Sequence, residues 1–384
     1  MKRKILVWDI ENAGVGKFRF RDPHICLARE HQEDFDVDII ENPPIQNKDF
    51  ISKYSILVLQ ASLLINEVLF KQLEDLKKNG LKVVLDLDDY WRLPVHHPLY
   101  RRMENDWKVM VSRFNVADVI LTTTTNLAKE IAVYNKNVKI VPNAVNTREG
   151  QFTPQPIPSK RVRIGWAGGS SHLQDLKELR GLVNKFYASS KDEVQFLMAG
   201  FNNEVKDVVN GQVTTVKRPE VWMQAEMVFT YNYNNLDENY VHYLLNPRDG
   251  EYPGCDDKFY KRIWTKPIHE YATVYNEFDI ALAPLEVTKF NSMKSQLKLI
   301  EAGFHKKPLI ASQVFPYQID GIHGKNIFLV EDKKAHKDWF KYAKMLVGSE
   351  QMRIDMGEAL YETVKDKYNL SNVTQKRAQI YKSL

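Results

Sequence analysis

The sequence predicts an α/β protein made of two Rossmann-like, doubly wound domains. Three observations predict it. Short continuous apolar runs alternate with amphipathic stretches, the pattern of a parallel sheet covered on both faces by helices. The alternation occurs as two separate series. Between them lies TREGQFTPQPIPSKR (147–161), with three prolines, a glycine and no apolar period, which reads as a linker.

In the first series KILVWDI (4–10) reads as a buried strand, and a helical stretch runs from Pro23 to about His31. FDVDIIE (35–41) and SILVLQ (55–60) are strand-like, and NEVLFKQLEDLKKNG (66–80) is an amphipathic helix closing on Gly80. KVVLDLD (82–88) is a strand, helical pattern resumes near Leu99, DVILTTT (118–124) is a strand and NLAKEIAVY a helix. VKIVPNAV (138–145) ends the series, which places the first domain at 1–146.

The second series gives a domain over 162–349. VRIGWAGG (162–169) is a strand and turn, a helix is expected from about Ser171 to Tyr187, and VQFLMAGF (194–201) is a strand. The stretch from about 230 to 265 is aromatic and irregular and reads as a long functional loop or an insertion. PIHEYATVYNEF (267–278) reads as helix, DIALAPL (279–285) as strand, and NSMKSQLKLIEAGF (291–304) as helix. PLIASQV (308–314) and NIFLVED (326–332) are strands, and helices over 350–384 are expected to pack back on the first domain. Doubly wound sheets take ligands at the carboxyl ends of their strands, so the chemistry is expected in the cleft between two facing halves.

The chain is 43% hydrophobic and 27% charged, an ordinary soluble composition that argues against a disordered or fibrous chain. No run reaches the ~18 apolar residues of a transmembrane helix. The start MKRKILVWDIENAG does not read as a signal peptide, because Asp9 and Glu11 interrupt a short apolar run. A cytoplasmic location is expected, with peripheral attachment to the inner membrane face left open. Cys26 and Cys255 match no metal spacing and read as free thiols. The net charge of +5 suits an anionic partner, but the charges are interspersed, which argues against a dedicated nucleic-acid-binding tail.

Four constellations carry chemistry. On a helix over 291–304, Lys294, Lys298 and Glu301 fall at i, i+4 and i+7, on one face beside an apolar stripe of Met293, Leu297, Ile300 and Phe304. A solvated polar face is the plain alternative. Against it, Lys294 would sit in the first turn, where the helix dipole disfavours a cation, and would repel Lys298. A diphosphate would turn both costs into gains, helped by the free N–H groups of the helix start, and Glu301 would accept hydrogen bonds from ribose hydroxyls.

The stretch FDIALAPLEVTKFNSMKSQLKLIEAGFHKKPLIASQVFPY (278–317) resembles the donor-binding segment of retaining GT-B glycosyltransferases, the broad group that includes bacterial family 4. A subgroup pattern, F-N-x-x-K-S-x-L-K, is matched by Phe290, Asn291, Lys294, Ser295, Leu297 and Lys298. The resemblance implies a GT-B fold and transfer of a sugar from a nucleoside diphosphate to an acceptor hydroxyl, with retention. It places Asn291, Lys294, Ser295 and Lys298 at the diphosphate and Glu301 at the ribose, and it implies no bound metal ion or other cofactor. The family often carries a second glutamate eight residues before this one; here that residue is Met293.

The second constellation is IGWAGGSSHLQDL (164–176), where Gly168 and Gly169 let backbone approach a ligand, Ser170 or Ser171 is a candidate cap, and His172 follows. Glycines that serve only the tight turn are the alternative. The stretch resembles the first strand and loop of the donor domain in the same enzymes. The third is ENAGVGKFRFRDPHICLA (11–28), where Gly14 and Gly16 suggest a flexible loop and Lys17, Arg19 and Arg21 add charge. It lacks the G-x-G-x-x-G dinucleotide spacing and resembles the G-x-G-x-x-R…P loop of many GT-B enzymes, which implies contacts of Gly14, Gly16 and Arg19 with donor phosphates and acceptor. A basic surface loop is the alternative.

The fourth is LDLDDYWRLPVHHPLYRR (85–102). Asp86, Asp88 and Asp89 cluster as a Mg²⁺ site does, but the resemblance implies no bound metal. Asp88 or Asp89 would instead position the acceptor and His96 or His97 contact sugar or act as base, with helix caps and loop anchors as the plain alternative for strand-end aspartates. With Lys294, Asp89 and His97 are the catalytic candidates. Tyr90, Trp91 and Tyr100 suit stacking on a sugar or base, or packing of the domain. Developing charge on the leaving diphosphate would be met by Lys294 and Lys298, and the lack of a clear carboxylate nucleophile favours a front-face reaction. A nucleotide-sugar epimerase of the same fold and a catalytically silent sugar-nucleotide-binding protein are the competing classes. The acceptor stays open among surface polysaccharide, lipid-linked sugar, protein, small molecule and a hydroxylated DNA base, the last requiring base flipping.

Overall fold

In a computed structural model the apolar runs of the sequence form strands, shortened by up to a few residues at their ends. The structure describes the chain apart from residues 1, 10–13, 98–99, 180, 202–203, 210–211, 218, 233, 235 and 246–254, and apart from the side chains of 102, 170, 201–223 and 245. Glu11 and Arg180 therefore lie outside the described residues, as do the Ser170 side chain and part of the aromatic stretch 230–265. The chain divides into two compact units. The first is Met1–Arg148 with Thr288–Ile300 and Val364–Leu384, and the second is Glu149–Val287 with Glu301–Thr363.

The first unit holds β1 (Arg3–Asp9), β2 (Phe35–Glu41), β3 (Ile56–Gln60), β4 (Lys82–Leu87), β5 (Val119–Thr122) and β6 (Val138–Ile140). They form one parallel sheet in the order β2-β1-β3-β4-β5-β6. Strand alternation sends Ile5 and Val7 to one layer, with Leu27 and Tyr381, and Leu6 to the other, with Leu73 and Phe114. Both layers are apolar, which is why these strands read as continuous apolar runs. The helix Glu67–Lys78 starts where the Asn66 side chain accepts the Leu69 N–H at 3.1 Å, and the chain leaves it through Gly80 at φ +95°. The last helix, Leu370–Lys382, lies against the helix Asp22–Glu30, with His24 Nε2 2.8 Å from the Tyr381 hydroxyl.

The second unit holds β7 (Val162–Ala167), β8 (Val194–Phe201), β9 (Glu204–Val209), β10 (Gln212–Lys217), β11 (Tyr260–Trp264), β12 (Ile280–Ala283), β13 (Leu309–Ser312) and β14 (Phe328–Val330). Its main sheet is also parallel, in the order β11-β8-β7-β12-β13-β14, and β9 and β10 pair separately as an antiparallel ribbon. In β7 a side chain at Gly165 would collide with the Phe278 ring, so glycine is required for that packing.

Several elements differ from the expectation. The helix expected over 291–304 is two helices, Lys289–Met293 and Leu297–Phe304, separated at Lys294, whose ψ is 161°. The helix expected over 171–187 is likewise divided into short turns, and only after Gly181 at φ +84° does the helix Leu182–Ser190 begin. The stretch 267–278 contains a 3₁₀ turn, Tyr271–Glu277. The stretch 230–265 is not all loop: it contains the helix Glu238–Leu245 and strand β11. Gly16–Arg21 is a π-helical turn instead of a flexible loop. No helix among the described residues is long and apolar enough to cross a membrane.

Candidate functional site

In the first unit the ends of β1 and β4 carry a buried charge network. Arg19 is fully buried and grips Asp86 with two N–H groups, at 2.8 and 3.1 Å. Its third nitrogen donates to the Val141 carbonyl at 2.7 Å and to Asn143 Oδ1 at 3.1 Å. Arg377 approaches the same carboxylate at 3.5 Å. Two guanidinium groups thus share one buried carboxylate, which ties the first loop and the last helix together inside the first unit. The sequence led to donor phosphates as partners of Arg19; the structure places its buried side chain on Asp86, Val141 and Asn143. Lys17 pairs with Asp22 at 2.7 Å and Arg21 with Asp9 at 3.1 Å, so all three cations of the first loop have carboxylate partners. Gly16 is buried in that turn, and a side chain at Gly14 would meet nothing within 4 Å.

Asp86, Asp88 and Asp89 lie near enough to feel one another's charge, but they are not gathered around a common point as metal ligands are. Asp86 is committed to Arg19, and no group of three His, Cys, Asp or Glu side chains among the described residues is gathered as a metal site. Asp88 is half-buried at the end of β4, and Asp89 is exposed. Burial of the Asp88 carboxyl pushes it up to about 7, with the Asp89 and Asp86 charges adding to the rise and Arg19 opposing it. His97 is half-buried beside Lys294: its ring packs edge-on against Phe290 at 5.6 Å. Burial and the Lys294 charge hold His97 below its ordinary range, against the pull of Asp89. His96 is exposed. Tyr90 and Trp91 are core residues, Trp91 packing edge-on against Phe114 and Tyr134, so neither offers a stacking face. Tyr100 donates to Glu104 at 3.1 Å on the surface.

Lys294 sits at the end of the helix Lys289–Met293, not in the first turn of a longer one. The dipole cost expected for it is absent, since a helix C-terminus favours a cation. It also lies outside the helix that holds Lys298, so the helical i, i+4 spacing does not apply. Its ammonium lies 4.8 Å from the Phe290 ring and has no carboxylate partner among the described residues. Lys298 is half-buried in the first turn of the helix Leu297–Phe304. Asn291 is buried, its N–H held by Thr288 Oγ1 at 3.1 Å, and Ser295 Oγ accepts from Asn143 at 3.0 Å. Met293 points into the core of the first unit.

In the second unit Glu301 is buried and accepts hydrogen bonds from the Tyr271 hydroxyl and, at 3.0 Å, from the Tyr275 hydroxyl. Burial, with the Glu301 charge, drives both phenols well above their ordinary range, so they remain donors. At the end of β7, Gly168 lies against Gly200: a side chain on Gly200, at φ +94°, would come within 2.8 Å of the Gly168 carbonyl. Gly169 has no such reason inside the protein, since a side chain there would meet nothing within 4 Å. His172 follows, its Nδ1 2.7 Å from Asp175. The other Asp175 oxygen accepts the Glu286 N–H at 2.8 Å, tying His172 to the loop after β12. Sequence reasoning missed Asp175, Asn143, Tyr271 and Tyr275. Only Asp175 had a local signal, its i+3 spacing from His172.

No protein-family model matches the sequence, and no curated protein matches it. Solved structures do. Sucrose-phosphate synthase from Thermosynechococcus elongatus superposes with a TM-score of 0.65 at 14% identity, over 100% of this chain and 99% of that one. Anabaena HepE in complex with UDP and glucose gives 0.66 at 12% identity, over 100% of both chains. The fold is GT-B. A glycosyltransferase from Rickettsia africae gives 0.60 at 15% identity, over 100% of this chain and 98% of that one. Identities this low carry the GT-B architecture and not the residues of a site, so roles within it rest on the geometry above.

Proposed function

We propose that the protein is a glycosyltransferase that takes its sugar from a nucleoside diphosphate, UDP being the first candidate. The carrying observation is Lys294: a half-buried ammonium with no carboxylate partner among the described residues, on a fixed non-helical strip that leads into the helix bearing Lys298 and Glu301. A lysine held in place without an internal counter-ion suits an external anion, and a diphosphate brings that charge. The likeness to HepE, solved with UDP and glucose, supports the same reading.

In this reading Lys294 and Lys298 neutralise the diphosphate as charge develops on the leaving oxygen. Glu301, its carboxylate oriented by Tyr271 and Tyr275, takes the ribose hydroxyls. Gly169 lets backbone approach the donor, and His172, oriented by Asp175, gives it a polar contact. Asp89 and His97 serve the acceptor side, with His97 neutral near pH 7 and able to accept a proton. Retention of configuration is part of the proposal, and so is activity without a bound metal ion. The acceptor class is a hydroxyl compound, open among glycan, lipid, protein and modified DNA base.

The test is incubation with UDP-glucose, UDP-N-acetylglucosamine and the matching ADP and GDP sugars, reading nucleotide release with and without acceptors. Release from one donor, lost in Lys294→Ala while the variant keeps its melting temperature, is the expected result. Conversion of the donor to another sugar nucleotide without any acceptor would identify an epimerase instead. Donor binding with no release under any condition would identify a silent binding protein.

A further inference from the structure

Lys294, Ser295 and Gln296 join two helices without belonging to either, and the residues around them are held by side chains from distant parts of the first unit. The Met293 carbonyl accepts from Thr124 Oγ1 at 3.3 Å, Ser295 Oγ accepts from Asn143 at 3.0 Å, and Gln296 Nε2 donates to the Tyr368 hydroxyl at 2.5 Å. Gln296 and Tyr368 are both buried. The Gln296 carbonyl accepts the N–H groups of Leu299 and Ile300, at 2.9 and 3.1 Å, so the residue that Tyr368 grips also sets where the next helix begins.

The two anchors are parts of one construction. Val145 N–H donates to the Tyr368 carbonyl at 2.8 Å, and Leu370 N–H donates back to the Val145 carbonyl at 2.9 Å. This pair of bonds stitches the C-terminal segment to the loop that carries Asn143. Asn143 is turned by Arg19, whose N–H takes its oxygen at 3.1 Å and leaves its amide to face Ser295. Consecutive residues, Ser295 and Gln296, are thus pinned from two stitched strips of chain, and Lys294 precedes them.

We propose that Tyr368 and Asn143 are positioning residues for Lys294, and that the C-terminal segment sets the conformation in which this lysine meets an anion. The inference rests on the donor reading above. A lysine whose backbone is fixed in advance loses less freedom on binding, so the anchors raise affinity without touching the ligand.

The experiment is a double-mutant cycle read by isothermal titration of the full chain with UDP, and with ADP and GDP as alternates. Tyr368→Phe removes one oxygen atom. It is expected to weaken nucleotide binding about five- to tenfold in the wild-type background and less than about twofold in Lys294→Ala, because the effect passes through the lysine. Equal losses in both backgrounds, or no loss in either, overturn the inference and leave the donor reading intact. A wild-type protein that binds none of the three nucleotides overturns both. If Tyr368→Phe unfolds the chain, Asn143→Ser reads the same coupling from the other anchor, with the same two outcomes.

Discussion

Arg19 holds Asp86 through both carboxylate oxygens, at 2.8 and 3.1 Å, in the interior of the first unit. Arg377 from the last helix shares that carboxylate at 3.5 Å. Replacing Asp86 by alanine would leave two buried guanidinium groups without their common counter-charge. Breaking a buried pair in this way costs about 3–5 kcal/mol. Asp86→Ala is therefore expected to unfold at clearly lower denaturant concentration, and a shift below about 1 kcal/mol would mean that the clamp is relaxed or hydrated.

The Asp88 carboxyl gives a pH dependence with a defined sign. In the folded protein burial and the Asp89 charge raise it from 3.8 to about 7, so between these values the folded state holds a proton that the unfolded chain has released. Stability contributed by this group is present at low pH and lost as pH rises through that window. Asp88→Asn removes the penalty. Its melting temperature should gain on that of the wild type between pH 5 and pH 8; a constant difference across that range contradicts the assignment.

Glu301 makes a prediction about the ribose. If its carboxylate takes ribose hydroxyls, wild-type protein should bind UDP about tenfold or more tightly than 2′-deoxy-UDP, and Glu301→Gln should narrow the gap. Tyr275→Phe, which frees one carboxylate oxygen, is expected to fall between them. Equal discrimination in all three proteins would remove Glu301 from the ribose.

Asp175 is expected to act through His172 and the loop after β12. Asp175→Asn can keep one of its two contacts but not the charge that favours a donating imidazole Nδ1. Nucleotide affinity should fall by about tenfold, and His172→Ala combined with Asp175→Asn should cost little more than either change alone. Additive losses would show that the two side chains act separately.

Most strands were legible because both faces of each sheet are apolar and the runs are short. Strand β11 was not, because it buries Lys261 and Arg262. Lys261 pairs with Glu277 at 2.7 Å and Arg262 with Glu226, so charges that look solvated in the sequence are compensated inside the protein. Strands β9 and β10 are short and mix charged and polar residues with valines, and the sequence between them carries an Asn-Gly pair at 210–211, a dipeptide that marks hairpins.

The break at Lys294 was hidden for a different reason. Met293, Leu297, Ile300 and Phe304 keep helical spacing across it, and all but half-buried Leu297 are buried, so the apolar pattern of one helix is met by two. The residues that bond to the chain at the break, Asn143 and Tyr368, are remote in sequence and of types that carry no local signal. Lys294, Lys298 and Glu301 could be singled out from composition and resemblance, whereas the partners that hold them needed the fold. For Arg19 the same limit led to the opposite result: its partner, Asp86, is far along the chain.

If Lys294 serves a nucleoside diphosphate, removing its ammonium weakens nucleotide binding without unfolding the chain. Titration of UDP into wild-type protein and Lys294→Ala tests it most directly, with melting temperatures confirming that both are folded. One site in the wild type, weakened by about tenfold or more in the variant, is the expected result. Equal affinity in the two proteins would contradict it.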